Sequence, residues 1–432
     1  MTRRLLIVGA AAAAVAAALA LGGLATRDVS GSDRTRPDTA ALHAGFAAGD
    51  TRALVATLQD ELRSRPRNVR GLGLLGLAYQ QRARETGDPS YYGLSERALT
   101  KALRIAPRDL DSATGLAALA LSRHRFREAL ELGERARSLS PSTAASYGVI
   151  GDALVELGRY TGAFDAFDTM VRLKPSVASY ARVAYARELL GRTDSAREAL
   201  LLARDAAAGR GEPTAWTETQ LGKLELSRGR YAAAASRFDA ALRAFPGYVY
   251  AFDGLAQVAA ARGDFARAIA LERRAVAAMP LPQFVGYLGD LYRVSGRAAL
   301  ARRQYATVDG IRRLFVASGV RTDLETASFD VDHGLRLRQS LALARRAHAE
   351  RPSIDGDDLL AWALARNDRC EEALPWSKRA LRLGTRDATK LFHRAYVEHC
   401  LGRDARPWAR RALALNPHFS LLWSATARRL AS

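Results

Sequence analysis

An all-α architecture of stacked helix-turn-helix units, a right-handed α-solenoid, is what this 432-residue sequence predicts. Three observations carry the prediction. The composition is rich in Ala, Leu and Arg with few β-branched runs, and most of the 34 glycines fall where amphipathic segments stop. No period-2 strand pattern stands out. Above all, the chain repeats itself: Pro107, Pro141 and Pro175 are 34 residues apart, as are Pro246 and Pro280, while the 71 residues from Pro175 to Pro246 are two periods plus three. Aromatic residues keep the same spacing, with Phe126 and Tyr160 34 apart, Tyr160 and Tyr231 71 apart, and Tyr231 and Phe265 34 apart. In such an architecture no unit buries its own apolar face, so neighbours must stack.

The elements follow in order. Arg3 and Arg4 precede 21 uncharged residues, Leu5 to Ala25. A basic start before an apolar core reads as an export signal, and this core is also long enough to span a bilayer. Residues 1–25 are therefore either a signal peptide, cleaved after Ala25 or at an earlier site near Ala18 and Ala20, or an uncleaved signal-anchor transmembrane helix. Both outcomes place the remainder outside the cytoplasm, secreted or held at the membrane. Residues 26–39 read as a flexible polar linker. A first solenoid block is expected over 40–312, opening with a degenerate cap from about Ala40 to Arg65. The phase slips over 313–330, expected to be an irregular helix-loop, and returns in a second block over 331–432 that ends in a C-terminal cap. The count is nine to ten repeats.

The segment Gly151 to Pro175, GDALVELGRYTGAFDAFDTMVRLKP, carries the pattern in full. Gly151 and Leu154 sit on a first helix, and Ala163, Phe167 and Pro175 on and after a second. Gly222, Ala234, Phe238, Ala241 and Pro246 reproduce it, and a third copy ends at Pro280 with Glu272 in place of the aromatic. These positions resemble the tetratricopeptide repeat, a 34-residue helix-turn-helix unit. The small residues let the two helices pack closely, the aromatic fills the groove between neighbours, and the proline stops the second helix because it has no N–H to donate.

Little of the chain is left for a catalytic domain. It holds no P-loop, no GxGxxG after a strand, no nucleophile elbow and no HExxH. The Asp330 to Gly334 stretch, DVDHG, reads as a helix end capped by Gly334 rather than as a metal pair. His393 and His399 are six apart on one helix and so point from different faces, which argues against zinc. No cofactor, metal or catalytic residue is expected, and the reading is of a non-enzyme.

The formal charge of +20 invites a polyanion, yet only five of the basic residues are lysine and no aromatic-interleaved basic stripe marks a nucleic-acid site. What the resemblance implies is a concave face lined by the first helix of each repeat. Its partner-facing places hold Asp152, Tyr185, Trp216, Lys223, Tyr250, Asp253, Gln257, Asp290 and Arg293, with Val155 and Glu188 beside them. Aromatics among mixed charges suit a peptide segment or a protein loop. The family's carboxylate-clamp subtype needs groove asparagines, and the only asparagines are Asn68, Asn367 and Asn416. By repeat register Cys370 lies in a turn and Cys400 near the end of the next first helix, on one edge of the stack. They form either a disulfide or two separately buried thiols. The expected function is a non-catalytic protein-interaction scaffold of the bacterial cell envelope. The alternative is an accessory subunit or enzyme that holds an anionic envelope polymer on basic helix faces.

Overall fold

The computed structural model describes residues 51–209 and 211–432. The expected signal or anchor segment and linker, and the first part of the expected cap, lie outside the described residues. Among the described residues there are 22 helices and no strand. A single helix, α1 (Thr51–Ser64), stands first. Hairpin pairs follow: α2 (Val69–Thr86) with α3 (Ser90–Ile105), α4 (Leu110–Ser122) with α5 (Phe126–Leu139), α6 (Ala144–Glu156) with α7 (Tyr160–Leu173). Next come α8 (Val177–Leu189) with α9 (Thr193–Ala207), α10 (Gly211–Ser227) with α11 (Tyr231–Ala244), α12 (Val249–Ala261) with α13 (Phe265–Ala278). The last four pairs are α14 (Pro282–Val294) with α15 (Ala298–Ala317), α16 (Asp323–His333) with α17 (Leu337–Glu350), α18 (Ile354–Ala365) with α19 (Cys370–Arg379), and α20 (Ala388–Cys400) with α21 (Arg406–Leu415). A short helix, α22 (Ser424–Ala431), closes the stack. The described residues form an α-solenoid of ten helix pairs between two single helices.

Local chemistry sets the helix ends. Pro107, Pro141, Pro175, Pro246, Pro280, Pro352 and Pro417 each stand two residues beyond the last residue of an odd-numbered helix. Proline disfavours helical geometry in the residue before it, so the helix stops there. Side chains of Asn68, Asp109, Asp264, Ser353 and Asp387 accept from backbone N–H groups in the first turns of α2, α4, α13, α18 and α20. Gly334 caps α16 in the left-handed conformation at φ 69°.

Packing explains the repeated small and aromatic residues. Phe238 is fully buried between α10 and α12, and a Cβ on Gly222 or Gly254 would lie 2.6 or 2.4 Å from its ring. Phe167 fills the same place over Gly151, where a Cβ would come within 2.3 Å. Any side chain there would force the helices apart.

The stretch 313–330 contains no long break. It comprises the last turn of α15, which runs to Ala317, a short turn through Gly319 and the first eight residues of α16. Fewer backbone positions of α15 and α16 come near one another than in any other consecutive helices here. Side chains bridge the joint instead: His333 hydrogen-bonds Asp290 at 2.7 Å, and the Phe329 ring lies 5.5 Å from that of Tyr305. At the C-terminal end Cys370 and Cys400 form a disulfide with Cα atoms 6.1 Å apart, which ties the start of α19 to the end of α20.

The solenoid also touches itself. The Tyr160 hydroxyl accepts from the Ile354 N–H at 2.7 Å across 194 residues. Buried Asn416 donates to the Leu226 carbonyl at 2.8 Å and accepts from the Tyr231 hydroxyl at 2.7 Å. The Arg321 N–H donates to the Arg123 carbonyl at 3.0 Å. Gly158, at φ 70°, brings its backbone so near Pro352 that a Cβ would lie 2.4 Å from the Pro352 carbonyl oxygen. All these contacts join turns between five and six 34-residue periods apart. The superhelix is therefore wound tightly enough for the hairpin turns of one coil to rest on the inter-repeat turns of the next.

Candidate binding lumen

Even-numbered helices form the inner wall, and the closing of one coil on the next shapes open cavities along it, two of which concern the expected site residues. The larger, of ≈ 160 Å³, lies between α8 and α10 on one coil and α18 and α20 on the next. Tyr185, Glu188, Trp216 and Lys223 line it from one side, Asp355 and Lys390 from the other, with Asp152 and Gln257 at its edges. The second, of ≈ 140 Å³, is lined by Arg84, Tyr250, Asp290, Phe329 and His333 among others. Lys223 and Tyr250 connect the two, the Lys223 Nζ lying 5.6 Å from the Tyr250 ring centroid.

Of the nine residues expected to face a partner, the structure brings five to the first cavity (Asp152, Tyr185, Trp216, Lys223, Gln257) and two to the second (Tyr250, Asp290). Asp253 is buried and accepts from Gln257 Nε2 at 2.9 Å, while Arg293 is exposed at the end of α14, away from both. The Asp152 carboxylate is not an open handle. Arg182, itself 2% exposed, donates to both its oxygens at 2.7 to 3.1 Å.

Electrostatics in the first cavity are uneven. Burial pushes the Glu188 carboxyl up to about 7, against the opposing pull of Arg228 and Lys223. Burial pushes the Lys223 ammonium down to about 8, with Asp253 and Glu188 opposing. Lys390 is as buried, but its Nζ lies 2.7 Å from Asp355 and 3.4 Å from Asp387, and these carboxylates hold it charged. Lys390, Asp355 and Asp387 were invisible in the repeat pattern as site residues, because they enter from nearly 200 residues away. The acidic start of α18, with Asp355, Asp357 and Asp358 in SIDGDDLL, was the one sequence signal that could have marked them.

Among the described residues no three His, Cys, Asp or Glu side chains converge to hold a metal ion. His393 is buried with Nδ1 2.9 Å from Asp358, whereas His399 is exposed. No described helix is long and apolar enough to cross a membrane.

Residues 114–178, 150–211 and 219–281 each match the tetratricopeptide repeat family. No curated protein sequence matches significantly. Among solved structures, the human IFIT1 dimer with m7Gppp-AAAA is 15% identical over 77% of each chain, with a TM-score of 0.49. Yeast Tom70 is 13% identical over 87% of this chain and 89% of its own, with a TM-score of 0.41. A tetratricopeptide repeat protein from Parabacteroides merdae is 16% identical over 56% of this chain and 97% of its own, also with a TM-score of 0.41. Likenesses this distant carry no argument about what the chain binds. Residues 114–211 and 219–281 are thus tetratricopeptide repeats, and the helix pairs carry the same architecture, that of a protein-interaction scaffold, along the described residues.

Proposed function

We propose that this scaffold works outside the cytoplasm, in a bacterial cell envelope, and that its inner wall binds a peptide segment or loop of a protein partner. The observation that carries the reading is the wall itself. Trp216, Lys223, Tyr250 and Gln257 stand half-buried on adjacent even-numbered helices and face preformed cavities. Rigid aromatic and polar groups held in place before binding reduce the entropy lost on association. The extracytoplasmic placement is supported by the basic start and apolar run of residues 1–25 and by the Cys370–Cys400 disulfide, a bond kept in oxidising compartments.

The binding reading is tested by crosslinking and pull-down of the full chain from its native host, with wild type beside a Trp216→Ala, Tyr250→Ala double variant. The wild type is expected to capture a specific partner that the folded double variant loses. Capture that survives the double substitution removes the inner wall from the binding site. Cell fractionation with N-terminal sequencing tests the placement, and a cytoplasmic protein that keeps Met1 would overturn it.

A further inference from the structure

The larger cavity contains two opposite charges that the protein leaves without a hydrogen bond or an ion pair. Its other carboxylates are neutralised from within, Asp152 by Arg182 and both Asp355 and Asp387 by Lys390. Glu188 on α8 and Lys223 on α10 are different. Among the described residues neither forms a side-chain hydrogen bond or an ion pair, with each other or with any other group, although both line the same space. Both side chains are half-buried, so their surroundings disfavour each charge while no ion pair within the protein offsets the loss of hydration. A ligand that supplies both missing counter-charges recovers that interaction.

We propose that this cavity binds a free α-amino acid with an apolar side chain, its ammonium group on Glu188 and its carboxylate on Lys223. The proposal rests on the reading of the inner wall as the binding face and names a ligand class for it. A zwitterion answers both groups at once, whereas a simple anion would face the Glu188 carboxylate and a simple cation would face the Lys223 ammonium. Arg228 at the end of α10 and Arg386 before α20 on the opposite coil add positive charge to the cavity, and the buried Arg228 Nε has no hydrogen-bond acceptor, which favours the carboxylate end. Leu189, Leu224 and Ile354 supply apolar surface for the side chain. The volume of ≈ 160 Å³ matches the size of an apolar cavity of ~150 Å³ that holds benzene, enough for a leucine or phenylalanine side chain. The ligand-free charges agree: Glu188 up to about 7 and Lys223 down to about 8 are both moved toward neutrality, as an unoccupied zwitterion site would leave them.

Isothermal titration of the full chain at pH 7.5 with leucine, phenylalanine, N-acetylleucine, leucinamide and a leucine-terminated tetrapeptide tests the proposal. Leucine or phenylalanine is expected to bind saturably. N-acetylleucine, which lacks the ammonium, and leucinamide, which lacks the carboxylate, are expected to bind at least about tenfold more weakly, a loss of about 1.4 kcal/mol. Glu188→Gln and Lys223→Met should each weaken leucine by a similar factor while leaving the thermal melt of the fold intact, and the near-isosteric Glu188→Gln guards against misfolding as the cause. Binding should also take a proton away from Glu188, seen as a buffer-dependent heat near pH 7. No saturable binding of either amino acid at millimolar concentration overturns the proposal. So does equal or tighter binding of N-acetylleucine or the tetrapeptide, which would make the site a carboxylate or peptide-end subsite. Failure here leaves partner capture lost in the Trp216→Ala, Tyr250→Ala variant, whereas failure of the underlying reading shows as capture that survives it.

Discussion

Arg351 holds two coils of the superhelix together, and its replacement by methionine tests whether that closure is part of the native state. The side chain is 4% exposed. Its Nε donates to Glu156 Oε2 at 2.9 Å and its Nη1 to Glu325 Oε1 at 2.8 Å, while its Cζ lies 4.8 Å from the Phe126 ring centroid. Glu156 ends α6 and Phe126 begins α5 on one coil, whereas Arg351 and Glu325 belong to the other. Methionine keeps the apolar length of the stem, so the substitution mainly strips the cation from two buried carboxylates, at a cost of about 3–5 kcal/mol. The effect depends on pH with a definite sign. Burial first, with Asp355 and Glu325 adding to it against Arg351, pushes the Glu156 carboxyl up to about 7. The native state therefore binds more protons than the unfolded chain between about pH 4.3 and 7, and this group's contribution to stability falls as pH rises through that window. Without Arg351 the carboxyl rises further, so the variant recovers as the pH drops and its penalty is largest above pH 7. Urea denaturation followed by circular dichroism at pH 8 and pH 5 measures both. A loss below about 1 kcal/mol at pH 8, or one equal at the two pH values, would refute the argument that a buried inter-coil ion pair closes the superhelix.

Two further outcomes are expected. Gly158→Ala should destabilise by at least about 2 kcal/mol, because alanine resists a positive φ and its Cβ would strike the Pro352 carbonyl. An unchanged melting temperature would show that the coils are not in contact there. Reduction of the Cys370–Cys400 bond, which closes a 30-residue separation, should cost the C-terminal repeats about 3–4 kcal/mol by the chain-entropy estimate. Hydrogen exchange with and without reductant should localise the loss to α19 and α20, and uniform protection in both states would contradict it.

How much of this was legible in the sequence follows from how far apart the interacting residues lie. Pro175 ends α7, Gly151 makes room for Phe167, and Gly334 caps α16, all through contacts within one repeat or its neighbour. The 34-residue period states such contacts directly, so the helix pairs outside 313–330 could be read without coordinates, while the inner-facing helices followed from the resemblance to the tetratricopeptide repeat. Asp152 marks the limit of that reading. Its place on the inner face follows from the family resemblance, but its Arg182 partner makes it a buried structural group, and register says nothing about which inner side chains neutralise one another. The small per-repeat rotation that accumulates into a superhelix is set by many packing contacts at once, none of which leaves a periodic mark. The tertiary structure alone decided that the coils would touch across nearly 200 residues, that Asp355 and Lys390 would face α8 and α10, and that Glu188 and Lys223 would remain without an ion-pair partner.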